Sequence, residues 1–411
     1  MTIPSFHTFL AEAKTGKLMH LQHLEDLMLD EGVAGVAFAQ TVLEEFQYML
    51  QHGGVSRSLN VTTKWDGAPS VVFGPDPADG QFFVATKAAF SQTPKLMKTH
   101  RQIHDTYGDT GIANKLHACL SELALLHPKM VMQGDLLFTD DVEQREIDGQ
   151  MYMVFRPNTI MYAVGAESDI GVRIRRAQLG IIIHTMYRGS GRSIADYHAT
   201  PVTPSVFASL THTSRVVAID STFDDLSGTV TFTQTEDAEF SLALHTIAQL
   251  SHAVPTSIFT SMSLEPLHGL VQMFINAQVR GGQLTSGQRA VTALLEFLDT
   301  RRESEIVKRH TPAGQETIRA KYAALIDPLR QHPQQYALWF DLHAAIANAK
   351  TLIVRKLSQA SRIGTFIPTA NGLKVTGHEG FVAVSHTGKM VKLVDRLEFS
   401  RNNFLAPKNW A

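Results

Sequence analysis

One segment, Thr63-Lys64-Trp65-Asp66-Gly67-Ala68-Pro69-Ser70, constrains the fold of this chain more than any other. Residues 59–62 before it and the apolar residues 71–73 after it both have the composition of short β-strands. Asp-Gly is a turn dipeptide, so the segment predicts two strands joined by a turn, with Lys64 at the end of the first strand. A lysine held among other cations loses its proton more readily and becomes a nitrogen nucleophile. The pattern therefore predicts that the ammonium group of Lys64 points at whatever the turn encloses.

Two later segments place an acidic residue beside glycine at a strand. Gly134-Asp135 interrupts the apolar run 130–138, which predicts a buried strand that delivers one carboxylate into a cleft. Glu379-Gly380 opens the apolar run 381–384. Carboxylate oxygens are ligands that Mg²⁺ accepts, so Glu379 is a candidate metal ligand.

A pair of lysines, Lys389 and Lys392, follows the turn signal at residues 386–388 on a predicted return strand. Successive side chains on a strand alternate between its two faces, so both lysines face one cleft only if a bulge intervenes. We favour Lys392 for the cleft because it lies deeper in the strand, and Lys389 remains the alternative.

These four segments, in this order, resemble motifs I, III, IV and V of the covalent nucleotidyltransferases, the superfamily of polynucleotide ligases and messenger-RNA capping enzymes. The resemblance covers about residues 55–190 and 363–396. It implies that Lys64 attacks the α-phosphorus of ATP and carries AMP as a phosphoramidate. It also implies that Asp135, where the family usually has glutamate, contacts the ribose. Glu379 would help to hold Mg²⁺ (or Mn²⁺), and Lys392 would neutralise the α-phosphate.

Weaker parts of the resemblance concern the residues around the nucleotide. Asp66 would help to hold the lysine, the ribose or the metal, and Gly67 completes the turn. Lys87 falls where the family has a basic residue that meets a phosphate. Thr62 and Thr63 stand where related ligases often carry a glutamate that helps to read the adenine amino group. A preference for ATP over GTP is therefore only an expectation.

The base-stacking residue is left open by the sequence. His184, in the apolar segment 177–187, falls where the family usually supplies an aromatic ring that stacks on the purine. Tyr187 and Phe155 are the alternatives.

Hydrophobic periodicity predicts an α+β protein, and the resemblance implies a ligase-type nucleotidyltransferase core of antiparallel sheets. We expect an N-terminal helical segment (1–54), a first part of the core (55–232), an all-helical insertion of five or six helices (233–362) and the last core strands (363–411). Only 19 residues follow Lys392 in this sequence, too few for the oligonucleotide-binding barrel of DNA ligases and capping enzymes. This favours RNA ligases, several of which lack that barrel.

The segment His23-Leu24-Glu25-Asp26-Leu27 and the Lys-Trp-Asp-Gly-Ala-Pro core together resemble phage proteins, a likeness that brings no assigned activity. The set His20, His23, Glu25 and Asp26 suggests a metal site, since residues three apart are neighbours on a helix. We favour a solvated helix face instead.

Composition bounds the partners. The 411 residues include 18% charged residues, with a net charge of −2 and a pI of about 6.8, so any contact with nucleic acid must come from a local patch. The best acid-poor basic cluster is Lys350, Arg355, Lys356 and Arg362. A single cysteine, Cys119, excludes a disulfide framework and a Cys-based metal site. We expect no signal peptide, no membrane partner and a cytoplasmic location, in the host cell if the chain is phage-encoded.

The favoured hypothesis is an ATP-dependent polynucleotide ligase that joins 5′-phosphate to 3′-hydroxyl ends, RNA more than DNA. The alternatives are a nucleotidyltransferase with another acceptor, such as GTP-dependent capping or protein adenylylation, and a non-catalytic phage protein that binds nucleic acid with a ligase-like fold. The oligomeric state stays open.

Overall fold

The computed structural model describes residues 22–52, 59–91, 93–147, 149–220, 231–359, 364–369, 372–375, 379–385 and 389–400. Its fold is mixed α+β, which confirms the predicted class. The α-helices of the described ranges are α1 (Leu27–Asp30), α2 (Val33–Gln51), α3 (His100–Tyr107), α4 (Gly111–Glu122), α5 (Asp169–Arg176), α6 (Pro204–Ala208), α7 (Gln234–Ala253), α8 (Thr256–Ser263), α9 (Leu267–Arg280), α10 (Gly287–Val307), α11 (Pro312–Gln331) and α12 (Pro333–Ser358). Short 3₁₀ turns cover Lys87–Phe90, Leu123–Leu126 and Ile194–Asp196, and a π-helical turn covers Arg396–Ser400.

The strands form three sheets. Their bounds are β1 (Leu59–Lys64), β2 (Ser70–Pro75), β3 (Phe82–Ala85), β4 (Met132–Phe138), β5 (Glu143–Ile147), β6 (Gln150–Phe155), β7 (Met161–Gly165), β8 (Leu179–Arg188), β9 (His198–Pro201), β10 (Val216–Asp220), β11 (Gly364–Thr369), β12 (Gly372–Val375), β13 (Gly380–Ser385) and β14 (Met390–Val394). A small sheet has the order β1-β13-β14, a large one β10-β8-β4-β2-β3 with β9 added to β8, and a third β12-β11-β7-β6-β5. β8 and β10 run parallel, and the other paired strands run antiparallel.

The small sheet shares a hydrophobic core with α2 and with helices from α7 to α12. Strand side chains alternate between faces, so Phe381, Ala383, Val391 and Leu393 all turn towards these helices. Lys392 lies between Val391 and Leu393, and its side chain therefore belongs to the opposite face. One face of the small sheet is anchored in the helical core, and the other carries charge.

The large sheet separates an apolar face from a partly polar one. Its first face packs Val71, Leu136 and Ile181 against α3 and α4, with Leu116 and Cys119 on the helix side. The opposite face carries Ser70, Gln133 and Asp135 between two smaller apolar clusters. This arrangement leaves a polar strip on the sheet beside the end of β1.

Several predicted elements lie where the sequence pattern puts them. The helices predicted near 34–50 and 112–126 correspond to α2 and to α4 with its following 3₁₀ turn. Six helices fill 234–358 in the described part of the predicted insertion. The division into domains and the ligase-type core stay predictions. No described helix is both long and apolar enough to cross a membrane.

Candidate functional site

Lys64 and Glu379 meet because of the register of the small sheet. Lys64, the last residue of β1, pairs with Gly380, the first residue of β13, so Glu379 arrives beside the lysine. The ammonium group donates a hydrogen bond to the Glu379 carboxylate. Burial opposes the charge on Lys64, but the Glu379 carboxylate raises the net pKa of the lysine. Burial raises the pKa of Glu379 despite the lysine, with the charge of Asp66 adding to the effect.

Gly67 lets the turn after Lys64 lie directly on β4. A Cβ atom at Gly67 would stand 2.7 Å from the Cβ atom of Asp135, a distance that ordinary side chains do not adopt. The backbone N–H of Ala68 donates to the Leu136 carbonyl (2.8 Å), and the N–H of Leu136 donates to the Pro69 carbonyl (3.1 Å). These contacts fix Asp135 near Lys64. Burial opposes ionisation of Asp135, but His184 and Lys64 together hold the pKa of this carboxyl below its usual value.

The Asp66 carboxylate points into the loop between β6 and β7. It accepts hydrogen bonds from the Asn158 side chain (2.7 Å) and from the backbone N–H groups of Thr159 (2.6 Å) and Ile160 (2.8 Å). The backbone N–H of Asp66 donates to the Tyr162 hydroxyl at 2.8 Å. A buried carboxylate with this many donors is an anchor for the turn, so Asp66 positions Lys64 from behind.

The two candidate lysines of the last strand point to different places. Lys389 contacts the Glu31 carboxylate and stands 4.2 Å from the centre of the Phe38 ring, against the N-terminal helices. Burial lowers the pKa of Lys392 to about 8, with the charge of Lys64 the next cause. Lys64 pairs with Gly380 and Lys392 pairs with Val382, two residues further along β13, so the two lysines lie on the same face of the small sheet. The structure thus places Lys392, not Lys389, at the site.

A β-bulge brings His184 to Asp135. Gln133 pairs with Thr185 but the next residue, Gly134, pairs with Ile183, which leaves His184 as the extra residue on β8. A bulge redirects the side chain of its extra residue. His184 Nε2 lies 3.5 Å from Asp135 Oδ2, and its Nδ1 lies 2.8 Å from the Thr185 hydroxyl.

The alternative stacking residues do not line this part of the site. Phe155 is buried in the core, with its ring centre 5.2 Å from that of Phe138 and 5.5 Å from that of Tyr162. Tyr187 is buried and tilts against Phe90 at 4.7 Å between ring centres. Only His184 among the three candidates is half-exposed beside Asp135.

The other predicted nucleotide contacts include Thr62 and Thr63, for which the structure describes the backbone. They pair with Val382 and Phe381 of β13. Lys87 is exposed and begins the 3₁₀ turn after β3. The register between β2 and β3 brings the end of β3 alongside the start of β2, the same sheet end at which Asp135 pairs with Ser70.

A family model matches residues 19–408, which include every element of this site. The chain belongs to DUF6267, a family of unknown function. No curated protein and no solved structure matches the chain. The family description names no activity.

The acidic residues of the N-terminal segment neither lie on a solvated helix face nor form a metal site, the two roles considered from the sequence. Glu25 and Asp26 are buried, not solvated. Both Glu25 oxygens accept hydrogen bonds at 2.7 Å from Lys350 of α12. Asp26 binds Arg396 at 2.8 and 2.9 Å. The described acids of this set are thus taken up by ion pairs and do not form a metal site.

The predicted nucleic-acid cluster does not form one surface. Lys350 is only 1% exposed, which excludes contact with a phosphate backbone. Lys356 is paired with Glu236 at 2.7 Å, and Arg355 is exposed. Arg362, like His20 of the N-terminal set, lies outside the described residues. Acids distant in sequence, Glu25 and Glu236, neutralise lysines that appear acid-poor in a linear scan.

Two site residues escaped the sequence reasoning. Ser70 and Gln133 lie beside Asp135 on the same sheet face, joined by a hydrogen bond of 2.8 Å from the Gln133 amide to the Ser70 hydroxyl. The signal for Gln133 was present in the sequence, because it stands two residues before Asp135 and strand faces repeat every two residues. No sequence signal connects Ser70 with it, since β2 and β4 pair across 63 residues of chain.

Proposed function

We propose that this protein is an ATP-dependent nucleotidyltransferase of the polynucleotide-ligase type, with RNA ends favoured over DNA ends. One observation carries the proposal: Lys64, Asp135, Glu379 and Lys392 come from four separate strand segments and are brought together. Lys64 binds Glu379 and shares a sheet face with Lys392, and the turn after Lys64 packs on Asp135. Converging groups with perturbed pKa values mark a candidate functional site. A surface hairpin with a solvated lysine would show none of these couplings.

In the proposed first step, the neutral amine of Lys64 attacks the α-phosphorus of ATP. The nitrogen–phosphorus bond forms, the bond from the α-phosphorus to the bridging oxygen breaks, and pyrophosphate leaves with that electron pair. The lysine must first lose its proton. Among the causes that raise the pKa of Lys64, the Glu379 carboxylate is the largest, so neutralising that carboxylate favours the reactive amine.

A divalent cation fits the donor chemistry of this site. Glu379 is the residue that would hold it. The described residues contain no cluster of three or more His, Cys, Asp or Glu that would enclose a metal alone. Mg²⁺ commonly takes one or two carboxylates and completes its shell with water and substrate phosphates, so one or two suffice. Bound there, Mg²⁺ or Mn²⁺ would neutralise charge on the phosphate oxygens.

In the later steps, AMP passes from Lys64 to a 5′-phosphate end, and a 3′-hydroxyl then displaces AMP as the phosphodiester forms. The protonated Lys392 offsets negative charge on the α-phosphate during both transfers. The preference for RNA ends over DNA ends is carried over from the sequence resemblance, and the choice of acceptor tests it.

The deciding experiment is incubation with α-³²P-ATP and Mg²⁺ or Mn²⁺, followed by denaturing electrophoresis. We expect acid-labile label on the protein, and GTP in parallel tests for a capping-type enzyme. Ligation of 5′-phosphorylated RNA and DNA then identifies the acceptor. Absence of protein-bound label from either nucleotide would favour the non-catalytic binding protein, and label without strand joining would favour another acceptor.

A further inference from the structure

A directed chain of hydrogen bonds crosses the polar strip of the large sheet. The Tyr187 hydroxyl donates to Gln133 Oε1, and Gln133 Nε2 donates to the Ser70 hydroxyl at 2.8 Å. Ser70 lies opposite Asp135 in the pairing of β2 with β4, and His184, Lys64 and the Ser70 hydroxyl hold the pKa of Asp135 down. Side chains of β8, β4 and β2 thus lead one after another to Asp135, the carboxylate that the sequence resemblance places at the ribose.

The chain fixes the orientation of the Gln133 amide. An ionised carboxylate only accepts hydrogen bonds, so the single hydroxyl proton of Ser70 is committed to Asp135. Ser70 must then accept from its other neighbour, which places the Gln133 NH₂ group, not the carbonyl, on the Ser70 side. Burial raises the pKa of Tyr187, so its hydroxyl stays protonated and donates to the carbonyl side.

An amide held in this way keeps two hydrogen-bonding positions for a ligand. A glutamine offers two N–H donors and two lone pairs on its oxygen. Ser70 and Tyr187 use one donor and one lone pair, and among the described residues Gln133 has no other partners. Gln133 is half-buried and Ser70 is exposed, so the remaining donor and acceptor are within reach of a small molecule.

The place of Gln133 suits a nucleobase. It lies two residues from Asp135 on the same face of β4, roughly 6 to 7 Å along the strand. The turn after Lys64 contacts β4 at Asp135 and Leu136, so Gln133 lies on the far side of Asp135 from that turn. Lys64, Asp135 and Gln133 therefore lie in the same order as the phosphate, ribose and base of a nucleotide.

We infer that Gln133 reads the nucleobase of the bound nucleotide and that the base it accepts is adenine; this inference rests on the proposed function. Glutamine pairs with adenine in a bidentate manner, accepting from the 6-amino group and donating to a ring nitrogen. Guanine presents two acceptors, O6 and N7, on the corresponding edge, and a fixed amide cannot satisfy both. Gln133 supplies the hydrogen-bond acceptor for the adenine amino group that Thr62 and Thr63, the residues before Lys64, do not supply.

The test compares wild-type protein with Gln133→Met, which keeps the length of the side chain and removes both amide atoms. Initial rates of protein labelling are measured with α-³²P-ATP and with α-³²P-GTP, each with Mn²⁺. We expect a wild-type preference for ATP that falls by roughly ten- to a hundredfold in Gln133→Met, the range of one bidentate base contact. Gln144→Met, an exposed glutamine on β5, is the matched control and should keep the wild-type ratio.

The outcomes separate the two proposals. An unchanged ATP-to-GTP ratio in Gln133→Met overturns the assignment of Gln133, and a wild-type preference for GTP overturns the assignment of adenine. Should the wild type accept no label at all, the proposed chemistry fails instead, and calorimetric binding of ATP and GTP to the same three proteins then decides the role of Gln133. Tyr187→Phe adds a sharper readout, because loss of its donor frees the amide to rotate and should weaken discrimination without removing binding.

Discussion

Two lysine–glutamate pairs in this protein join residues more than 300 positions apart, and they differ in their access to solvent. The side chains of Lys64 and Glu379 are 28% and 10% exposed, whereas those of Lys350 and Glu25 are 2% and 0% exposed. The first pair lies on the charged face of the small sheet. The second is sealed between the N-terminal segment and α12.

Their neighbours differ as well. Around the sealed pair, charges are matched: Asp26 binds Arg396 and lies 3.1 Å from His343, and burial of Asp26 is outweighed by Arg396 and His343, which hold its pKa well below the usual value. Around the open pair, Lys392 adds a cation whose pKa is lowered. The second pair is enclosed among other buried charges, whereas the first pair stays partly exposed and within reach of a ligand.

The strongest test of this contrast is Lys64→Ala. Protein-bound AMP should disappear, because no other described lysine stands at the end of β1. The cost to stability should be small, since the side chain is partly exposed. Lys64→Arg should not restore labelling, because a guanidinium group stays protonated. The measurement is the labelling assay together with thermal unfolding, and full labelling of the alanine variant would contradict the nucleophile assignment.

Lys350→Met should have the opposite profile. It leaves Glu25 buried without its partner, which typically costs about 3–5 kcal/mol in the free energy of unfolding. Urea unfolding measures this cost. The double variant Glu25→Gln/Lys350→Met removes both charges and should recover most of the loss. Equal destabilisation of the single and double variants would show that an unpaired Glu25 charge is not the cause of the loss in the free energy of unfolding.

The two pairs also show which kinds of side-chain position can be predicted from the sequence and which cannot. Lys64, Asp135 and Glu379 each stand next to glycine or a turn beside an apolar run, and such local patterns place a side chain at a strand end. The partner of Glu25 is 325 residues away, and no local pattern reveals that pairing. For the same reason, the N-terminal acids were expected on a solvated face and Lys350 in a nucleic-acid surface. The bulge at His184 depends on the register between β4 and β8, which sequence periodicity does not fix.

A pH dependence of nucleotide binding distinguishes Lys392 from Lys389. A lysine is cationic below its pKa, and burial beside Lys64 lowers the pKa of Lys392 to about 8. ATP affinity should therefore fall as the pH rises from 8 towards 9.5, by up to about tenfold per pH unit. Calorimetric titrations across this range measure the fall. Lys392→Arg keeps the charge and should flatten the profile, while Lys389→Arg should leave it as in the wild type.

The smallest expected effect concerns the surface of α12. Arg355 is the exposed residue of the described part of the predicted cluster, and one phosphate contact to a single strand changes the slope of log K against log salt by about 0.7. If α12 guides the strand, Arg355→Ala should reduce the salt slope of RNA binding by that amount and leave self-labelling unchanged. Arg289→Ala, an exposed arginine on α10, is the control. An unchanged salt slope in Arg355→Ala would show that nucleic acid does not bind at α12. The role of α12 would then be structural, with Lys350 holding the N-terminal segment in place. The backbone carbonyl of Gln22 in that segment accepts a hydrogen bond from the backbone N–H of Lys392 at 2.9 Å.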